Sequence, residues 1–187
     1  MEECRAESVG IYLSTNLDLL RIFGAENQKA LDVMYINWLC MVRAGVLSLE
    51  FYTPENKKWR QAHMQARFAI LTTLLEAGQG FIELKPVGDD IWIEMDRSKI
   101  TTVGKEAIGR FLVEMMTLKA TADHAGAQAL FGKVTGVGED MLALRKVVLA
   151  KKQPRRVFVQ GKTVEEDDGS VHYKSYPCSA EGMVLSM

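Results

Sequence analysis

The chain has 187 residues, of which 48% are hydrophobic and 25% are charged. This length suffices for one ordinary domain or two small ones, and the composition excludes a disordered chain, a collagen and a disulfide scaffold. The 23 basic and 24 acidic side chains give a formal net charge of -1, which removes the usual electrostatic argument for nucleic-acid binding. We therefore expect no nucleic-acid partner.

The distribution of apolar residues and cysteines argues against the membrane and secreted classes. No apolar run approaches the ~20 residues of a bilayer span, and the first residues are acidic where a targeting peptide would be basic. Cys4, Cys40 and Cys178 are widely spaced and form no Cys-x-x-Cys pair. This pattern favours reduced thiols and predicts a cytoplasmic protein with no membrane contact.

The N-terminal part of the chain is predicted to be helical. Apolar residues recur at helical spacing over 2–23 and over 30–51. The tripeptide Thr53-Pro54-Glu55 is typical of a helix start, with threonine as N-cap and proline in the first position, and it predicts a third helix over 53–75.

The remaining sequence mixes strands and helices. Short apolar runs at 81–85 and 91–95 predict a β-hairpin, and helical spacing resumes over 105–118, 124–131 and 139–150. Beyond Pro154, strands are predicted at 157–159 and 171–173, on either side of an acidic turn. Two strands alone are marginal in water and need a partner sheet. The predicted fold class is mainly α with minor β, with a helical region over 1–154 and strands over 155–187.

Three carboxylates lie in the first turns of the first predicted helix. Glu3 and Glu7 are four residues apart and share one face, whereas Glu2 lies about 100° around the helix from Glu3. Acidic residues at this end complement the helix dipole and are usually solvated, which is the interpretation that the spacing alone favours. The alternative is a carboxylate zinc ligand with further carboxylates that orient imidazole ligands.

A polar stripe is predicted on the third helix, where Arg60, His63 and Arg67 recur at i, i+3 and i+7. Such a stripe is usually solvated surface, and this interpretation is favoured without further context. The alternative is that His63, which is flanked by long apolar residues, donates a hydrogen bond to a developing oxyanion.

Several motifs together resemble one protein family. The hexapeptide Glu-Glu-Cys-Arg-Ala-Glu at 2–7 and the block around His63 closely resemble the dipeptidyl peptidase III family. The resemblance continues through segments 37–45, 50–55, 74–78 and 96–100, and it covers essentially the whole chain. The family consists of zinc aminopeptidases that remove dipeptides from the N-termini of oligopeptides, so the resemblance implies oligopeptide substrates and one zinc ion.

The resemblance implies roles for individual residues near the zinc. Glu3 would be the third zinc ligand, and Glu2 and Glu7 would accept hydrogen bonds from two zinc-bound histidines. His63 would take the catalytic role of stabilising the tetrahedral intermediate, which fits the physics because a donor beside an oxyanion stabilises charge that develops only in the transition state.

Four further residues are implied in substrate binding. Gln61 and Arg67 would contact the peptide substrate or shape its cleft. Arg155 and Arg156 match a basic pair that binds peptide on the opposite side of that cleft. The strands over 155–187 would belong to a β-barrel that forms the second lobe of the family's fold.

The family's first zinc signature, His-Glu-x-x-x-His, does not occur in this sequence. It provides two zinc ligands and the general base, but none of His63, His124 and His172 is followed by glutamate. Because catalytic zinc normally has three protein ligands, we expect the chain alone to be inactive and to need the N-terminal part of the enzyme. His124 and His172 have no evident partners and are predicted to be ordinary surface or half-buried residues.

A rival hypothesis is non-catalytic. The chain would then be a helical module that binds peptides or a partner protein, and a face between the two lobes would become its contact surface. Metal analysis after the missing histidine-bearing segment is restored separates the two hypotheses, because only the first requires zinc.

Overall fold

The fold was obtained as a computed structural model, in which residues 1–154, 156 and 158–187 are described. The chain divides into two compact units, Met1–Lys151 and Lys152–Met187. The first unit is built mainly of α-helices, and the described residues of the second form one β-hairpin and one short helix. The predicted fold class, mainly α with minor β, is therefore confirmed. The predicted boundary after residue 154 and the assignment of the last strands to a barrel lobe stay predictions.

Within residues 1–151 the helices lie in three consecutive groups along the chain. They are α1 (Glu2–Leu13), α2 (Leu17–Ile22), α3 (Asn27–Leu47), α4 (Ala62–Glu76), α5 (Lys105–Ala120), α6 (His124–Val134) and α7 (Glu139–Ala150). Two antiparallel hairpins separate the groups, formed by β1 (Tyr52–Thr53) with β2 (Lys58–Trp59) and by β3 (Ile82–Val87) with β4 (Asp90–Met95).

The single helix predicted over 2–23 is wrong, because the chain turns between α1 and α2. The hydroxyls of Ser14 and Thr15 donate to backbone carbonyls of the preceding turn. The side chain of Asn16 then accepts from the backbone N–H groups of Asp18 and Leu19 and caps α2. Short polar side chains of this kind compete with the helical backbone hydrogen bonds, and here they end one helix and start the next.

Helix α3 lies in the core and packs against α4. Trp38 is fully buried, its Nε1 donates to the hydroxyl of Ser14 at 3.1 Å, and its ring meets that of Phe81 edge to face, with centroids 6.1 Å apart. A Cβ at Gly104 would lie 2.6 Å from the Trp38 ring and 2.7 Å from the Phe81 ring. Only glycine therefore permits this close packing.

By length and composition, the stretch Asn27–Phe51 could also cross a membrane, because its mean hydropathy is 1.4. The expectation that no apolar run approaches the length of a span is wrong by this measure. Core helices meet the same criterion, and Met34, Trp38 and Val42 of this helix are buried in the core. The expectation of no membrane contact stays a prediction.

The third helix begins later than predicted, which changes the position of Arg60. Thr53-Pro54-Glu55 does not start a long helix: Pro54–Asn56 forms a single 3₁₀ turn, which ends at Lys57 in the left-handed region at φ 52°. The chain then returns as β2, and α4 begins only at Ala62. Arg60 lies outside the helix and donates to the backbone carbonyls of Glu50 and Phe51, so the predicted stripe is reduced to His63 and Arg67.

The later elements agree more closely with the sequence pattern. The hairpin predicted at 81–85 and 91–95 is confirmed as β3 and β4, in a register that places Leu84 opposite Ile93. The helical spacing over 105–118, 124–131 and 139–150 corresponds to α5, α6 and α7. One π-helical turn, Ile100–Gly104, leads into α5 and was not predicted.

The second unit contains β5 (Lys162–Glu165), β6 (Val171–Lys174) and α8 (Ala180–Leu185). The strand predicted at 171–173 is confirmed as β6, which pairs with β5. The described residues 158 and 159 of the other predicted strand are not in a strand. None of the apolar side chains described in this unit is fully buried; Phe158, Tyr173 and Val184 are exposed. The hairpin therefore has little core of its own, which agrees with the expectation that two strands alone need a partner sheet.

Candidate functional site

Two helices of the first unit bring four polar side chains together. Helix α1 packs against α4. Glu3 and Glu7 lie one turn apart on α1, and His63 and Arg67 lie one turn apart on α4. Because residues at i and i+4 share a face, each helix presents its pair to the other. We call these four side chains the α1–α4 cluster.

His63 is the meeting point of the two carboxylates. Its Nδ1 lies 3.3 Å from Oε2 of Glu3 and 3.2 Å from Oε1 of Glu7. The Nε of Arg67 donates to both oxygens of Glu7, at 3.2 Å and 2.9 Å. The predicted site residues Glu3, Glu7, His63 and Arg67 are thus in mutual contact, although 56 positions separate Glu7 from His63 in the chain.

The members of the α1–α4 cluster differ in exposure. The side chain of Glu7 is only 16% exposed, whereas those of Glu3 and His63 are 45% and 48% exposed. A carboxylate that is largely removed from water needs charged hydrogen-bond partners, and Arg67 and His63 provide them. Glu7 therefore lies at the inner side of the cluster, and Glu3 and His63 lie at its open side.

Glu2 lies outside the α1–α4 cluster and has its own partners. Arg5 Nε donates to Oε1 of Glu2 at 2.9 Å, and Lys119 Nζ of α5 donates to Oε2 at 3.0 Å. The hydrogen bond from Arg5, followed by that from Lys119, lowers the pKa of Glu2 to about 2. Lys119 was not predicted, since no local spacing relates two residues that lie 117 positions apart.

The residues implied in peptide binding have separate locations. Gln61 is the N-cap of α4, and its side chain accepts from the backbone N–H of Met64 at 2.6 Å. Arg67 contacts Glu7, as described above. Arg156 is exposed and belongs to the second unit, and Arg155 lies outside the described residues. The roles of all four in substrate binding stay predictions.

The α1–α4 cluster is not a complete metal site. In the part of the chain that the structure describes, no group of three histidine, cysteine, aspartate or glutamate side chains is arranged to hold a metal ion. Catalytic zinc normally has three protein ligands, so these residues alone do not fit the ion. Glu3 remains available at the open side of the cluster as one ligand of a larger set.

The other two histidines lie on the surface, as predicted. His124 begins α6 and is exposed. His172 lies in β6, is also exposed, and its Nδ1 is 3.2 Å from a carboxylate oxygen of Glu166. Neither is placed near other histidines or cysteines in a way that indicates a metal site among the described residues.

The buried thiol of Cys4 is expected to be chemically inert. Cys4 is fully buried between α1 and α4, its Sγ lies 3.7 Å from the carbonyl of Ala66, and burial raises its pKa to about 12. The thiolate is the reactive form, so near pH 8 a folded chain should incorporate iodoacetamide at the exposed Cys40 and Cys178 only. Mass spectrometry of the alkylated peptides checks this. Modification of Cys4 at the same rate before and after denaturation in urea would contradict it.

Comparisons with known proteins agree with these motifs. The model of peptidase family M49 matches residues 1–187. The chain belongs to peptidase family M49. Three similar relatives are all named dipeptidyl peptidase 3. The protein from Nematostella vectensis is 52% identical over 99% of this chain, that from Dictyostelium discoideum is 48% identical over 100%, and that from Homo sapiens is 49% identical over 99%.

The match extends over only part of each relative. The aligned region is 26% of the Nematostella vectensis protein, 28% of the Dictyostelium discoideum protein and 26% of the Homo sapiens protein. The chain therefore spans about a quarter of the length of these relatives. The resemblance to the dipeptidyl peptidase III family that the sequence predicted is therefore confirmed.

Proposed function

We propose that this chain is part of a zinc-dependent peptidase that releases dipeptides from the N-termini of oligopeptides. Membership of family M49 and the name that the relatives share, dipeptidyl peptidase 3, support this activity. The observation that carries the proposal is the α1–α4 cluster, in which Glu3, Glu7 and His63 come into contact across two helices. A reaction site requires that its side chains lie close together, whereas side chains that are merely solvated need not touch.

Glu3 is proposed as one ligand of the zinc ion. Its carboxylate lies at the open side of the cluster, where a metal held mainly by other residues could reach it. Glu2 and Glu7 are proposed to orient imidazole ligands that these described residues do not include. The chain by itself is then expected to hold no catalytic zinc and to release no dipeptide.

His63 is proposed to donate a hydrogen bond to the oxyanion of the tetrahedral intermediate. Glu3 and Glu7 engage its Nδ1, which leaves Nε2 to face the substrate. This donor acts on charge that develops in the transition state, so its effect falls on kcat.

Oligopeptides are the proposed substrates. Arg67 of the α1–α4 cluster and Gln61, the N-cap of α4, are proposed to contact the peptide, together with Arg155 and Arg156. A cytoplasmic location, with no nucleic-acid partner and no membrane contact, is part of the same proposal. The exposed and unpaired Cys40 and Cys178 support it, because free thiols persist in reducing compartments.

A chimera tests the proposed function. The segment of the Nematostella vectensis relative that aligns with residues 1–187 is replaced by this chain, and release of dipeptide from an arginyl-arginyl reporter is measured together with bound zinc. The chimera should bind about one zinc ion and release dipeptide, whereas the 187-residue chain alone should do neither. A folded chimera without zinc or activity would overturn the proposal and favour the non-catalytic binding module.

Replacing His63 by alanine in the chimera should lower kcat by about 100- to 1000-fold, because one oxyanion donor is lost. Bound zinc should stay unchanged, since His63 is not proposed as a ligand. His124→Ala is the matched control, because His124 is an exposed histidine on another helix and should keep the activity of the unmodified chimera. Equal kcat values for the two variants would refute the role of His63.

A further inference from the structure

Arg67 contacts the carboxylate that holds His63, and this suggests a role other than substrate binding. Its Nε donates to both oxygens of Glu7, and Oε1 of Glu7 also lies 3.2 Å from Nδ1 of His63. The three side chains thus form a continuous series in which Glu7 lies between Arg67 and His63. We call this series the Arg67–Glu7–His63 relay.

We propose that Arg67 is a positioning residue, which fixes Glu7 and thereby holds the His63 ring in the orientation that presents Nε2 to the substrate. The proposal rests on the proposed function for the reaction that His63 serves. It departs from the expectation that Arg67 contacts the peptide or shapes its cleft. A positioning residue acts through its neighbour, so its loss should change the rate of the chemical step more than the binding of substrate.

The burial of the relay supports this role. Glu7 is 16% exposed and Arg67 is 34% exposed, so their ion pair is partly removed from water. Partial burial strengthens charge-assisted hydrogen bonds and fixes their geometry. The carboxylate cannot rotate freely without losing the bonds from Nε, and the Nδ1 contact of His63 depends on the position of that carboxylate.

A second arginine–glutamate pair provides a comparison within the same chain. Arg110 and Glu106 on α5 are 67% and 70% exposed, and their N–O distance is 2.7 Å. This pair is a solvated i, i+4 ion pair that touches no member of the α1–α4 cluster, and such pairs have little effect on structure. It therefore provides a matched control for the loss of an arginine–carboxylate contact.

Kinetics of the chimera distinguish positioning from substrate contact. Arg67→Gln should lower kcat about 10-fold, the usual effect of losing a group that orients a reacting one, and should leave KM within roughly twofold. Arg67→Lys should recover part of the loss, since lysine still provides a charged donor to Glu7. Arg110→Gln should leave both constants unchanged. A raised KM with unchanged kcat in Arg67→Gln would overturn the proposal and support direct substrate contact.

A double-mutant cycle tests whether Arg67 acts through His63. If it does, adding Arg67→Gln to His63→Ala should produce no further loss of kcat, because the group that Arg67 positions is already gone. Two losses that multiply would show independent roles and would overturn the proposal. The zinc content of each variant should equal that of the unmodified chimera.

Nitrogen-15 NMR of the 187-residue chain provides a readout that needs no activity. The chain has only three histidines, and the signals of His63 are assigned by their absence in His63→Ala. Arg67→Gln and Glu7→Gln should both shift the ring signals of His63, whereas Arg110→Gln should leave them in place. An unmoved His63 signal in Arg67→Gln would overturn the proposal even if the chimera is active. If the chimera is inactive, the proposed function fails while the NMR result still decides whether the relay holds His63.

Discussion

Replacing Glu3 by alanine in the chimera is expected to remove the bound zinc and the dipeptide-releasing activity together. Catalytic zinc normally has three protein ligands, and two remaining ligands hold the ion much more weakly. The Glu3 carboxylate lies at the open side of the α1–α4 cluster, 3.3 Å from His63, where it is accessible to an ion. Zinc content is measured on the purified protein after dialysis, together with release of dipeptide.

Glu114→Ala is the matched control for Glu3→Ala. Glu114 is an exposed glutamate on α5, and it is not a partner in the hydrogen bonds and ion pairs of the α1–α4 cluster described above, so its replacement should leave one zinc ion bound and activity intact. Retention of zinc by Glu3→Ala, with circular dichroism equal to that of the unmodified chimera, would show that Glu3 is not a ligand. The assignment of Glu3 would then be withdrawn even if the chimera itself is an active peptidase.

Replacing Trp38 by alanine is expected to lower the free energy of unfolding of the chain by about 3–5 kcal/mol. Trp38 is fully buried, and its removal leaves a cavity beside Phe81 and Gly104. It also removes the hydrogen bond from Nε1 to the hydroxyl of Ser14. Since the free energy of unfolding of a domain is only about 5–15 kcal/mol, this loss is a large part of the chain's stability. Urea unfolding followed by circular dichroism measures it.

Two further variants separate the effect of burial from other consequences of losing a tryptophan. Trp92 in β4 is 60% exposed, so Trp92→Ala should change the free energy of unfolding by less than about 1 kcal/mol. Trp38→Phe keeps an aromatic ring beside Phe81 and should lose less stability than Trp38→Ala. Similar losses for Trp38→Ala and Trp92→Ala would contradict the central position of Trp38 in the core.

The accuracy of the sequence-based fold prediction depended on how local each signal was. The hairpin β3–β4 and the helices α5–α7 were predicted well, since strand alternation and helical spacing are properties of neighbouring residues. The helix predicted over 53–75 was wrong because its start signal begins only a short turn and not a long helix. Pro54 begins one 3₁₀ turn, and pairing of Tyr52 with Trp59 then directs the chain into a hairpin.

The break between α1 and α2 shows the same limit. Apolar spacing continues from Val9 through Leu20, and only the hydroxyls of Ser14 and Thr15 and the cap at Asn16 interrupt the helix. Such side chains are tolerated inside helices as well as at their ends. In this chain Ser14 also accepts a hydrogen bond from Nε1 of Trp38, which lies on another helix, α3.

The sequence by itself determined the fold class, the family and the residues of the α1–α4 cluster, because motif residues and helical spacing are read along the chain. The tertiary structure alone decided which of those residues touch. Glu7 lies between His63 and Arg67, and Glu2 accepts hydrogen bonds from Arg5 and Lys119. Gln61 lies outside the cluster and caps α4. The physical reason is that contacts between α1, α4 and α5 depend on how the helices pack, which spacing within any one helix does not specify.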